Sequence, residues 1–161
     1  APDMTKTNAL SSINAIFKGC TSLVDAPVIP DSVLDMSEAF LGDSNIYTAS
    51  AFPESVEDIS SAYADCISLE KAASIPASVI NCDSCYSGCS NLYGELSINT
   101  NTEDCANLLS NAVTSGKTLK LKGKSGRLFE IQQDSGSRYV TIKDTEKAEK
   151  NAKKLERQNN Q

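Results

Sequence analysis

The sequence predicts an α/β repeat solenoid, with a narrow parallel sheet on the concave face of the coils and short helices on the convex face. A C-terminal β cap and a terminal helix are expected to close it. Three observations predict this. Phe17, Phe40, Tyr63, Tyr86 and Leu109 stand 23 residues apart, and a fixed period without insertions marks units that stack so that equivalent side chains form continuous ladders. Within each unit one half has helical apolar spacing and the other reads as extended. After Ser115 the period lapses and the balance of charge changes sign.

The same step recurs in Ile13, Met36, Ile59, Cys82 and Cys105, in Leu23, Ile46, Leu69 and Leu92, and in Ile29, Phe52, Ile75, Ile98 and Leu121. These rows are the expected core. Residues 35–40 and 58–63 place apolar side chains three and four apart, which suits about two turns of helix. Ser12, Asp35, Asp58, Asn81 and Asp104 open those segments, and each is a residue type that caps a helix by accepting an orphan N–H. The other half ends in Ile29-Pro30, Phe52-Pro53 and Ile75-Pro76, and a residue before proline prefers extended backbone. Side chains alternate along a strand, so positions 27 and 29 should face inward and 26 and 28 outward. The outward rows are then Ala26, Ala49, Ala72 and Glu95, and Val28, Ala51, Ser74, Ser97 and Lys120. Their small side chains give a smooth strip, either a plainly solvated sheet face or a surface for a partner's extended segment or a glycan. The strip carries no aromatic residue, which weighs against a sugar.

Beyond the repeat, residues 117–122 alternate polar and apolar, and 128–131 and 139–142 read as two strands joined across a polar turn. The expected organisation is a repeat unit at 1–116, a β cap at 117–143 and a polar helix at 144–161. Glu146/Lys150 and Glu149/Lys153 stand in the favourable i, i+4 order. The stripe Ala148, Ala152 and Leu155 is too thin for a coiled coil, so the helix is expected to protrude, fray or dock on a partner. Lys120, Lys122 and Lys124, with Lys117 and Arg127 nearby, form a basic patch. It reads either as a protected strand edge or as a dock for an acidic partner, such as the body of another copy in a homo-oligomer or larger assembly.

Composition narrows the chemistry. There is no histidine among the 161 residues, which removes imidazole bases, histidine metal ligands and histidine switches. No glycine-rich phosphate loop or catalytic serine–lysine setting appears, so neither enzymatic activity nor a cofactor is expected. Residues 1–116 hold three bases against 15 acids, whereas 117–161 hold 12 bases against six acids. The acidic body would repel nucleic acid and anionic membrane surfaces. No window is long and apolar enough to span a bilayer, and the amino terminus shows no signal-peptide pattern. The six cysteines, Cys20, Cys66, Cys82, Cys85, Cys89 and Cys105, follow the repeat phase, which favours buried thiols over zinc, an iron–sulfur cluster or disulfides. The row of Asp35, Asp58 and Asp104 lacks the several oxygen ligands per unit and the glycine-rich loop that calcium would need.

Ala-Ile-Phe-Lys-Gly-Cys-Thr-Ser-Leu from Ala15 to Leu23, followed by Ile29-Pro30-Asp31-Ser32-Val33, resembles the BspA-like leucine-rich repeat over residues 8–121. The departures are Asp43 and Ala112 at the cysteine position, Asn99 and Lys122 at the proline position, and Ser115 for the ladder leucine. The resemblance implies leucine-rich-repeat coils. It also implies a non-enzymatic protein-recognition or adhesion module displayed on a bacterial cell surface or a phage virion, binding a protein or cell-surface receptor. A structural spacer or anchor in a larger assembly, and a secreted leucine-rich-repeat effector, are the other readings.

Overall fold

The computed structural model describes residues 10–160. Residues 1–9, which belong to the expected 1–116 unit and include the start of the resemblance, and Gln161 of the expected final helix lie outside the described residues. The regular elements are β1 (Gly94–Ser97), β2 (Leu119–Lys122), α1 (Leu128–Ser135), β3 (Val140–Ile142) and α2 (Thr145–Asn159). The three strands form one parallel sheet in the order β1-β2-β3, with Gly94 opposite Leu119 and Leu119 opposite Val140.

This overturns the expected leucine-rich-repeat solenoid. Both helices follow residue 127, all three strands lie within residues 94–142, and the described residues before Gly94 contain neither a helix nor a strand. The reason is visible in the backbone. A helix needs successive N–H groups to reach the carbonyl four residues back. Here alternate N–H groups leave the segment instead: Ile13, Ala15, Phe17 and Gly19 donate to the carbonyls of Asp35, Ser37, Ala39 and Leu41 at 2.8–3.0 Å. The intervening Ile16, Lys18 and Cys20 close tight turns onto residues three back. The pattern repeats from Met36, Glu38, Phe40 and Gly42 to Asp58, Ser60, Ala62 and Ala64. Alternation of this kind requires left-handed residues. Ala15, Glu38, Ser61, Ser84 and Asn107 have φ of 53–61°, and Gly19, Gly42, Asp65 and Gly88 have φ of 60–78°. The expected helix caps become turn formers: Asp35 Oδ1 accepts the Ser37 N–H at 2.9 Å, and Asp58 Oδ1 the Ser60 N–H at 2.9 Å.

The 23-residue rows nevertheless meet in space. The rings of Phe17, Phe40, Tyr63 and Tyr86 stack with centroids 5.5, 4.9 and 5.8 Å apart. Phe40, Tyr63 and Tyr86 are fully buried, as are Met36, Ile59 and Cys82 in the neighbouring row.

The expected concave sheet fails over the first three units for two reasons. Pro27, Pro30, Pro53 and Pro76 withhold N–H groups from any ladder, and tyrosine hydroxyls take up backbone groups that a neighbouring strand would pair. Tyr63 Oη accepts the Ser50 N–H at 2.8 Å, and Tyr86 Oη accepts the Ala73 N–H and donates to the Ala73 carbonyl, both at 2.8 Å. Thirteen residues before Phe40, which has no hydroxyl, stands Pro27, which has no N–H. Only isolated bridges remain, Thr48 to Lys71 and Ile75 to Ile98. Where Asn99 and Lys122 replace the proline, β1 and β2 pair over four residues.

Residues 128–131 are the first turn of α1, not the expected strand. Leu128, Ile131 and Ser135 are buried along one face, and left-handed Gly136 (φ 67°) ends the helix. The second expected strand forms as β3. Asp144 caps α2 by accepting the Lys147 N–H at 3.0 Å. Rather than protruding, α2 lies on its own chain: Ala148 is buried, and Asn151 Nδ2 donates to the Gly123 carbonyl at 3.2 Å. Gly126 allows this approach, since a Cβ there would sit 2.7 Å from the Asn151 carbonyl and from Leu155. Lys150 lies 3.9 Å from Glu146.

Candidate binding groove

The turn units present their outward rows along one side of the molecule. Ala26, Val28, Ala49 and Ala51 line a shallow groove of about 500 Å³. Ala49, Ala51 and Phe52 continue into a second groove of about 530 Å³ with Ser74, which ends at Asn99 and Lys124. Ala72 packs half-buried against the core and lines neither. Ser97, Lys122 and Lys124 belong to a recess of about 400 Å³ that they share with Lys143, Lys147 and Leu128. The structure thus joins the small-residue row to the lysine-rich end through Lys124 and leaves Lys120 exposed to one side.

The basic patch is partly neutralised within the chain. Glu95 receives Lys143 at 2.5 Å and Lys122 at 2.9 Å, and these two ammonium groups, Lys143 foremost, hold its carboxyl down at about 2. Arg127 lies 3.4 Å from Glu130 and 3.9 Å from Glu103, and donates to the Asn101 carbonyl at 2.8 Å. Lys117 sits over the Tyr93 ring, 4.5 Å from its centroid. Lys120 and Lys124 have no ion pair among the described residues. Lys124 follows the end of β2 rather than lying on it, its N–H bound to Asn99 Oδ1 at 3.0 Å.

Sequence reasoning missed the apolar wall of the first groove. Val24, Val28 and Tyr47 line it at 53%, 66% and 54% exposure, so the surface does carry an aromatic side chain. Tyr47 lies just before the segments read as strands, which is why the alternation argument passed over it. Its signal was the row Val24, Tyr47, Glu70 and Tyr93 at the common step. Asp25 and Asp31 are the only charged residues lining that groove.

The cysteines offer little chemistry. Cys66, Cys82, Cys85, Cys89 and Cys105 are buried and Cys20 is half-buried, all as free thiols. Burial pushes Cys66 and Cys82 up to about 12 and raises Cys85, Cys89 and Cys105 as well, which withholds the thiolate that nucleophilic or metal-binding roles require. Among the described residues no group of three or more cysteine, aspartate or glutamate side chains is placed to hold a metal ion. Asp43 occupies the same row as Cys20, Cys66 and Cys89, fully buried, with neither carboxyl oxygen in a full hydrogen bond. Burial raises it to about 6, partly offset by the Cys20 backbone.

Among the described residues no helix is long and apolar enough to cross a membrane. Comparison with protein-family models, curated proteins and solved structures finds no match for the chain.

Proposed function

We propose that the chain is a non-enzymatic recognition module that binds a partner protein or cell-surface receptor along the groove side of its turn units. The observation that carries this reading is the continuity of two grooves over Ala49, Ala51 and Phe52, floored by small side chains and walled by exposed Val24, Val28 and Tyr47. A surface with shape and apolar area but few charges suits protein recognition. Display on a bacterial cell or a phage virion is the sequence resemblance's contribution and rests on it alone.

The test is capture of intact cells by the purified protein. Ala51→Arg fills the shared part of the grooves at an exposed position and should abolish capture while leaving the melting temperature unchanged. Capture unaffected by Ala51→Arg would sink the groove reading. Stoichiometric co-purification with a capsid, tail or envelope protein, without cell binding, would establish the spacer reading instead. The terminal helix lends that spacer reading no support, because α2 is folded against Gly123 and Gly126.

A further inference from the structure

We propose that Tyr47, with the carboxylates of Asp25 and Asp31, receives a lysine or arginine side chain carried on an extended segment of a partner protein. The inference rests on the recognition reading above and names the chemistry of its partner.

The first argument comes from within the chain. Tyr93 stands two repeat steps after Tyr47, and the Lys117 ammonium lies over its ring at 4.5 Å, a favourable contact between a cation and the negative face of an aromatic ring. Lys71 stands in the same sequence relation to Tyr47, but its backbone pairs with Thr48 and its ammonium is not over the Tyr47 ring. The ring at 47 therefore stays open, at 54% exposure.

Charge supplies the second argument. Every ionisable group lining this groove other than Tyr47 is a carboxylate, and the backbone of a further acid, Glu70, hydrogen-bonds the Tyr47 carbonyl. Lys18, the other base in the described part of the acidic body, is paired with Glu38 at 2.9 Å. A neutral apolar segment would leave Asp25 and Asp31 without partners, and an acidic one would be repelled. A segment that alternates an aliphatic residue with a base meets both the apolar wall of Val24 and Val28 and the acidic rim.

The test titrates the protein with two synthetic peptides, acetyl-Val-Lys-Val-Lys-Val-amide and its glutamate counterpart, following the tyrosine ring resonances by NMR. The lysine peptide should shift the Tyr47 ring and weaken as salt rises, and the glutamate peptide should not bind. Tyr47→Leu should lower affinity about three- to fivefold, and Asp25→Asn combined with Asp31→Asn should lower it further, whereas Lys71→Ala should leave it unchanged or raise it. Equal binding of the two peptides, an unmoved Tyr47 ring, or full affinity in Tyr47→Leu would overturn the proposal. So would concentration-dependent self-association of the chain that Tyr47→Leu abolishes, since a second copy would then be the occupant. Peptide binding without cell capture sinks only the display reading. Cell capture that survives Tyr47→Leu, without peptide binding, sinks only the cation site.

Discussion

Residues 10–93 and residues 94–142 place backbone beside backbone at nearly the same spacing, yet only the second stretch builds a sheet. In the first, proline removes donors and the hydroxyls of Tyr63 and Tyr86 occupy the amides of Ser50 and Ala73. In the second, leucine and lysine leave both groups free, and β1, β2 and β3 pair in register. The difference shows that apolar periodicity fixes which side chains meet, while the donors and acceptors available at each step decide what the backbone does.

Removing the hydroxyl that substitutes for a strand should break this comparison most severely. Tyr86→Phe leaves the half-buried Ala73 N–H and carbonyl without their partner, a cost of about 2 kcal/mol, or roughly 4–8 °C in melting temperature for a chain of this size. Phe40→Tyr, whose counterpart Pro27 has no N–H, should stabilise nothing. Calorimetry of both variants decides the point, and an unchanged Tyr86→Phe would refute the role given to the hydroxyl.

A second variant probes a side chain that departs from its row. Asp43 binds its proton more tightly in the folded chain, at about 6 against an ordinary 3.8, so its contribution to stability is complete below about 3.8 and lost as pH rises through about 6. Asp43→Cys, which restores the residue type of Cys20, Cys66 and Cys89, should therefore stabilise by about 1–2 kcal/mol at pH 7.5. Most of that gain should vanish by pH 4. A difference that does not vary with pH would mean that the carboxyl is hydrated.

The smallest effect concerns the junction itself. Asn99 donates its N–H to the Ile75 carbonyl at 3.0 Å and its Oδ1 accepts the exposed Lys124 N–H. Asn99→Pro, which imposes the residue of positions 30, 53 and 76, removes both, and with the exposed contact adding little should cost about 1 kcal/mol. Hydrogen exchange should report the loss first in β1. Full protection of β1 in that variant would separate proline from the absence of strands upstream.

The legible and illegible parts of the chain divide along the same line. Stacking of Phe17, Phe40, Tyr63 and Tyr86 could be read from spacing because burial acts on side chains. The turns at 14–19 and 37–42 could not, because Ala15 and Glu38 are poor predictors of left-handed backbone and are held there by bonds to residues 22 positions away. In α1, Leu128, Ile131 and Ser135 followed by Gly136 carried a helix signal that the crowding of Leu128, Phe129 and Ile131 into four residues obscured. At the groove, the small residues followed from alternation, whereas the open face of Tyr47 depends on where Lys71 does not go.

The bonds between turn units have one further property. The peptide of residues 12–13 donates to that of 35–36, which donates to that of 58–59 and on to that of 81–82, and parallel series run through Phe17, Phe40, Tyr63 and Tyr86 and through Gly19, Gly42, Asp65 and Gly88. These three series point one way and their dipoles add as in a helix, while the bonds beside them, from Leu34, Glu57 and Ile80 back to Ser11, Leu34 and Glu57, point the other way and oppose them. Along the turn segments the end facing residue 12 is the carbonyl end, and the end facing Asp104, Leu108 and Ser110 is the N–H end. At Tyr47 the sense is reversed, its carbonyl accepting the Glu70 and Lys71 N–H groups, so the attraction for a cation there rests on the ring and the two carboxylates rather than on the backbone.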